Sequence, residues 1–192
     1  MAYTNITTVK SYLGDVQGSG DDALITGFIA ATQTYIDGYC HQTFEAATDS
    51  TRTFDPTCDV DGPTLYFDAP LIAITSVTNG DGVVVAPTAY VTEPRNMTPW
   101  YGLTLKSNSG ISWTYGGALE NAIAIVGKWA YSLTADANIQ QAATRLAAYF
   151  YRQRDNGLDL DRIIQTNSGV VMPLDLPRDI CKLLEPYKRI VV

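Results

Sequence analysis

A single histidine, His41, stands in 192 residues, and that scarcity removes most catalytic schemes at the outset. Its neighbour Cys40 points about 100° away on a helix of ~3.6 residues per turn, so the two cannot meet as nucleophile and base. No nucleophile elbow is present, and His41 reads as a helix-end residue near a neighbour or solvent. Cysteine is also sparse. Cys40, Cys58 and Cys181 are an odd number at wide spacing, which suits neither a disulfide framework nor a four-ligand zinc site. They are expected to be free thiols. Charged residues make up only 17% of the chain, with 13 bases against 20 acids. A net charge of −7 argues against wrapping nucleic acid, because that binding depends on neutralising phosphates with Lys and Arg. No apolar run approaches the ~20 residues of a membrane span. The opening Met-Ala-Tyr-Thr-Asn-Ile-Thr has neither the basic nor the apolar region of a signal peptide. The expectation is a soluble protein made inside the cell, with no membrane partner and with idle sequons at Asn5 and Asn96.

What is present points to a folded chain. The hydrophobic share is 46%, more than a disordered segment carries. The length suits one domain over 1–192, with a helical part at 5–44 plus 135–192 and an inserted β block at 51–130. Asn5 to Gly14 has apolar residues on one face and Gly14 to end it, with Asn5 or Thr7 available as cap. After the linker Asp15-Val-Gln-Gly-Ser-Gly, Asp21 and Asp22 stand where carboxylates accept orphan helix N–H groups. From there to Phe44, Leu24, Phe28, Ala31 and Tyr35 recur at helical steps beside Ile25, Ile29, Thr32 and Ile36. Together they predict one broad apolar stripe, wide enough to bury.

From Thr51 the period changes to two. Strands are predicted at Thr51–Asp55, Thr64–Asp68, Ile72–Thr78, Gly82–Val85, Ala89–Thr92, Gly102–Leu105, Ile111–Tyr115 and Ala122–Val126, with a hairpin signal at Asn79–Gly82. Their spacing implies an antiparallel sandwich or partial barrel. Helix returns at 135–155, where Ile139, Ala142, Ala143, Leu146, Ala147 and Phe150 form a stripe and Arg145, Arg152 and Arg154 lie outside it. Asp159 to Gly169 is expected to be a mobile loop. A short last helix is expected from Pro177 to Leu184, then an extended basic and apolar tail. The fold class is therefore α+β: a short and a long helix, a β-sandwich or partial barrel, a late long helix packing on the first two, a final short helix and a tail.

Other chemistry fails on inspection. Asp55, Asp59 and Asp61 begin like a calcium loop but lack its Gly at position six and Glu at twelve, so an Asp-rich turn is the reading. Gly18-Ser-Gly20 before a helix resembles a phosphate cradle, yet Asp21 and Asp22 follow it and would repel the anion. The strand-block aromatics, among them Tyr66, Phe67, Trp113 and Trp129, lack the interleaved cations of base stacking. They fit a core and a protein-facing surface better. No metal or cofactor site emerges. Charge is also uneven: residues 1–90 hold eleven acids against Lys10 and Arg52, a balance of −9, and residues 91–192 balance at +2. Ordinary solubility, an acidic wall that repels passing DNA, and attraction between neighbouring copies all fit this asymmetry.

Ile6-Thr-Thr-Val-Lys-Ser-Tyr-Leu followed by Asp21-Asp-Ala-Leu-Ile-Thr-Gly-Phe-Ile-Ala-Ala-Thr resembles the N-terminal signature of head–tail connector (adaptor, or head-completion) proteins of tailed double-stranded DNA phages. Leu65-Tyr-Phe-Asp-Ala-Pro-Leu-Ile-Ala-Ile-Thr-Ser-Val is similar to their recurrent strand phrase. Ile139 to Arg154 resembles their late helix ending in an aromatic and Arg. Where that family commonly has Pro-x-Asp/Glu-Leu before the late helix, this chain has Asp136-Ala-Asn-Ile. The resemblance covers about two-thirds of the chain in scattered pieces. It implies a non-enzymatic virion neck protein made in the host cytoplasm, a ring commonly of twelve copies. Such a ring docks on the portal protein, passes DNA without specific binding, and meets the next neck or tail protein. It makes Arg145, Arg152, Arg154, Arg178, Lys182, Tyr187, Lys188, Arg189, Ile190, Val191 and Val192 contact candidates. Asp15, Asp21, Asp22 and Asp37 become candidates for an acidic inter-subunit or lumen face. Two other functions fit less well: a tail terminator or other neck protein, and a carbohydrate-binding or hydrolytic sandwich. The last needs two convergent carboxylates, and Glu45, Glu93 and Glu120 are isolated in sequence.

Overall fold

The protein is described by a computed structural model covering residues 2–16, 18–153 and 177–189. Two compact units emerge, one of Gln42–Ala135 and one of Ala2–His41 with Asp136–Val192. Among the described residues the fold is α+β, with four helices and two antiparallel sheets.

In the helical unit, α1 spans Ile6–Leu13. Asn5 is its cap: its side chain accepts from the Thr8 N–H at 2.9 Å, satisfying an orphan donor. Gly14 ends it at φ 84°, a conformation that costs glycine nothing. The long helix α2 spans Asp22–Cys40 and stops four residues before the expected Phe44, because His41 turns left-handed at φ 54° and its N–H bonds back to the Asp37 carbonyl. The expected carboxylate cap at its start is not made, and Asp21 forms no side-chain cap bond.

The broad stripe on α2 divides. Ile25, Ile29, Thr32, Ile36 and Cys40 are buried, whereas Leu24 and Tyr35 are each 41% exposed. Helix α3 (Ala137–Gln153) buries Ile139, Ala142, Ala143, Leu146, Ala147, Ala148 and Tyr151. Its small side chains admit α1 and α2 closely, and Val9, Leu13, Ile25 and Ile29 join Ala147, Ala148 and Tyr151 in one cluster. Helix α4 (Arg178–Leu184) follows Pro177 and buries Ile180 and Leu184. The tail was expected to be extended from Pro186, but Glu185–Tyr187 close a 3-10 turn instead. Arg154, the loop predicted at 159–169 and Ile190, Val191 and Val192 lie outside the described residues.

In the β unit, β1 (Ser50–Phe54), β7 (Ile123–Lys128) and β4 (Ala73–Thr78) form one sheet in that order. The second runs β2 (Val60–Asp61), β3 (Thr64–Leu71), β6 (Trp100–Leu105), β5 (Tyr90–Glu93). Period-two burial is clearest on β7, where Ile123, Ile125 and Gly127 are buried. A single core takes Phe54, Val77, Ile123 and Ile125 from the first sheet and Leu65, Phe67, Leu103 and Leu105 from the second. Trp129 packs edge-on to Phe67 at 5.3 Å between ring centroids, and its indole N–H donates to the Ser50 carbonyl at 3.1 Å.

Two predicted strands are absent. Gly82–Val85 is a turn that touches β4 through one bridge, Thr78 to Val84. Ile111–Tyr115 is pinned by a side chain rather than a ladder: the buried Asn79 amide donates to the Ser112 carbonyl at 2.9 Å, and its oxygen accepts from Thr114 N–H at 3.1 Å. The two-residue β2 was not anticipated. The Asp turn holds itself together, with the Asp59 carboxylate accepting from the Asp55 N–H at 2.7 Å.

Candidate interaction surface

The charged candidates of the helical unit separate by how far they are engaged. On α3, Arg145 is half-buried and pairs with Asp179 of α4 at 2.9 Å. Arg152 is exposed, with its guanidinium 5.9 Å from the Tyr12 ring centroid. On α4, Arg178 and Lys182 are both exposed, and four residues apart they share one helix face. Neither forms an ion pair among the described residues. Beyond α4 the chain returns to the end of α2. The Lys188 ammonium lies 5.0 Å from the Tyr39 ring centroid, a cation–π contact, and the Arg189 N–H donates to the Cys40 carbonyl at 2.9 Å. The half-buried Tyr187 hydroxyl accepts from the Asn138 amide at 3.3 Å.

Of the acidic candidates, Asp15 is exposed. The other three are held within the unit. Asp22 forms an ion pair with Lys10, which also donates to the Gly18 carbonyl. Asp21 accepts from the Tyr151 phenol at 2.5 Å. Asp37 accepts from the Tyr3 phenol. Burial raises the Asp37 pKa, and the Tyr3 hydrogen bond only partly opposes it. Burial also pushes the Cys40 thiol up to about 11, helped by the Asp37 charge and opposed by Lys188. A thiol held neutral in this way is a poor nucleophile. None of the three cysteines forms a disulfide, and of the three only Cys58 is exposed. Among the described residues no three His, Cys, Asp or Glu side chains gather to hold a metal.

The structure thus places Asp21 and Asp22 at the start of α2, and Lys188 and Arg189 against its end. Sequence reasoning missed the groups that engage the candidates: Tyr151 on Asp21, Lys10 on Asp22, Tyr3 on Asp37, Asp179 on Arg145 and Tyr39 on Lys188. Asp21 and Tyr151 are 130 residues apart, and no local pattern couples such a pair.

No family model matches the chain, and no curated protein matches it. Solved structures do. The fold is similar to that of a chain from the neck of an empty GTA particle computed with C6 symmetry, at a TM-score of 0.60 and 14% identity over 97% of this chain and 89% of that one. A chain from the virion of a native gene transfer agent (GTA) particle matches at a TM-score of 0.59 and 17% identity, again over 97% and 89%. A third, from the neck of a native GTA particle computed with C12 symmetry, gives 0.57 and 15% over 97% and 91%. The likeness therefore spans nearly the whole chain, and the architecture described above is similar to that of chains from the necks of GTA particles.

Proposed function

We propose that this chain is a structural neck protein of a tailed phage or phage-like particle, acting as an adaptor ring. The ring joins the portal of the DNA-filled head to the tail and extends the DNA channel. The observation that carries the reading is the near full-length likeness in fold to neck chains of GTA particles. The assemblies computed with C6 and C12 symmetry favour a closed homo-oligomer, and twelve copies is the count proposed. An acidic chain suits a channel that DNA crosses without being gripped. Arg178 and Lys182, with Lys188, Arg189 and the Ile190-Val191-Val192 end, are proposed to meet the portal. Asp15 is the acid proposed to face the lumen or a neighbour.

The test is copy number and position in purified particles, by quantitative proteomics and averaged electron micrographs of the neck. About a dozen copies at the portal vertex is the expected result. Absence from particles overturns the reading, as does distribution along a tail or shell. Within the reading, deletion of Tyr187 to Val192 is expected to abolish attachment to filled heads. Unchanged attachment would remove the portal assignment.

A further inference from the structure

In the β unit the outer edge of β5 stands open. The register pairs Tyr90 with Leu105 and Val91 with Thr104, and the Lys106 N–H donates to the Ala89 carbonyl at 2.8 Å. In an antiparallel ladder this combination bonds Val91 and Glu93 to β6 and turns the N–H and C=O of Tyr90 and Thr92 outward. Among the described residues nothing meets those four groups. The open stretch is short. The next outward carbonyl, that of Thr88, accepts from the Lys106 ammonium at 2.8 Å, and the next outward residue, Pro94, has no N–H to give. The other sheet edges are shorter or already engaged. Strand β2 has two residues. The end of β4 is covered where Asn79 N–H donates to the Val83 carbonyl and Val85 N–H to the Val77 carbonyl, each at 2.8 Å. On β1 the Ser50 carbonyl serves the Trp129 indole.

A groove of about 340 Å³ lies against the same edge, lined by Pro87, Tyr90, Val91, Thr92, Arg95 and Asn96. Arg95 gives only its Nε to Glu93, at 3.2 Å. Its two terminal nitrogens make no bond among the described residues and present the fork that suits a carboxylate. We infer that this edge takes up a short, acid-bearing extended segment of another particle protein as an added strand; the inference rests on the neck reading above. Backbone geometry selects the class of occupant, because an extended polypeptide offers acceptors and donors two residues, or about 6.8 Å, apart. A second copy is the poorer match. Two β5 edges paired with each other would be related by a two-fold axis, which closes a pair and not a ring. The remaining described edges of a second copy are the short or engaged ones.

Val91→p-benzoylphenylalanine puts a photoreactive ring in the groove. Irradiation of particles carrying it is expected to join this chain to a different particle protein, at a segment that holds Asp or Glu. An adduct to a second copy or to an acid-free segment, or no adduct while the chain sits at the neck, overturns the inference and leaves the neck reading intact. Adding Thr92→Pro deletes an outward N–H and no ladder bond. Adduct yield should then fall by about tenfold, the factor for the ~1.4 kcal/mol of one hydrogen bond. In the isolated chain Thr92→Pro should melt with wild type, whereas Val91→Pro removes a ladder donor and should melt lower. Equal destabilisation by the two prolines, or an undiminished adduct with Thr92→Pro, also overturns the assignment. Wild-type chain missing from the neck would instead refute the neck reading itself.

Discussion

The phenol of Tyr151 near the end of α3 donates to the Asp21 carboxylate at the start of α2 across 2.5 Å. The carboxylate expected to cap α2 makes no cap bond and is held instead by the end of α3. Replacing Tyr151 with Phe leaves a half-buried carboxylate without that donor. A hydrogen bond to a charged group contributes about 1.5–3 kcal/mol, and the variant should lose that much in a urea titration. An unchanged midpoint would mean that water replaces the phenol at no cost.

Asn79 is the pin of the β unit. It is 3% exposed, and its amide meets Ser112, Thr114 and its own successor Gly80. Asn79→Ala strands one carbonyl and two N–H groups, all part-buried, so a loss of about 3 kcal/mol is expected. Gly80→Ala should be comparably damaging, because a Cβ there would stand 2.0 Å from the Thr114 carbonyl oxygen. Amide hydrogen exchange should rise first between Ser112 and Tyr115, where no strand ladder provides support.

The division of α2 has a direct mutational signature. Ile36 is fully buried and Leu24 is 41% exposed. Ile36→Ala should cost about 2–5 kcal/mol, the range for emptying a packed aliphatic site, whereas Leu24→Ala should stay within about 0.5 kcal/mol. Equal losses, measured by thermal unfolding of the isolated chain, would contradict the exposed orientation of Leu24.

A buried thiol and a half-buried carboxyl give pH dependences of the same sign. The Cys40 thiol, ordinarily near 9.0, is raised to about 11 in the fold. Its neutral form therefore contributes stability below pH 9, and that contribution is lost as pH rises through 11. Asp37 is raised above 3.8, so its contribution is present below that value and is lost as pH rises through the folded value. Asp37→Asn keeps an oxygen for the Tyr3 phenol and removes the charge. The variant should gain on wild type as pH rises from 3.8, and a constant difference would count against burial as the cause. Thiol labelling of the native chain should modify Cys58 and leave Cys40 untouched until the fold opens.

Where structure is local, the chain declares it. Asn5 and Gly14 bracket α1, the small residues of α3 mark the buried face, and period-two runs locate β1 and β3 to β7. The failures share a cause. On α2, Ile25, Ile29 and Ile36 alternate with Leu24, Phe28 and Tyr35, both sets apolar, and periodicity cannot say which set faces the core. Ile111 to Tyr115 has strand composition, but its backbone groups are claimed by Asn79 more than thirty residues earlier. The candidate surface was legible as a set of charges and not as a geometry. Whether Asp21 is open or occupied depends on Tyr151, and whether Arg145 is open or occupied depends on Asp179.

The chain enters and leaves the β unit side by side. Tyr131 N–H donates to the Thr43 carbonyl at 2.9 Å, and the Ser132 hydroxyl donates to the Phe44 carbonyl at 2.9 Å. Glu45 reaches the Ala135 N–H at 3.4 Å. A unit fastened at its own doorway resembles a cassette with one clasp. Strands and loops beyond the clasp can lengthen, shorten or be exchanged, and the helices on either side still receive a chain at the same two points. Changes in the length of those strands and loops therefore leave the entry and exit points of the β unit side by side.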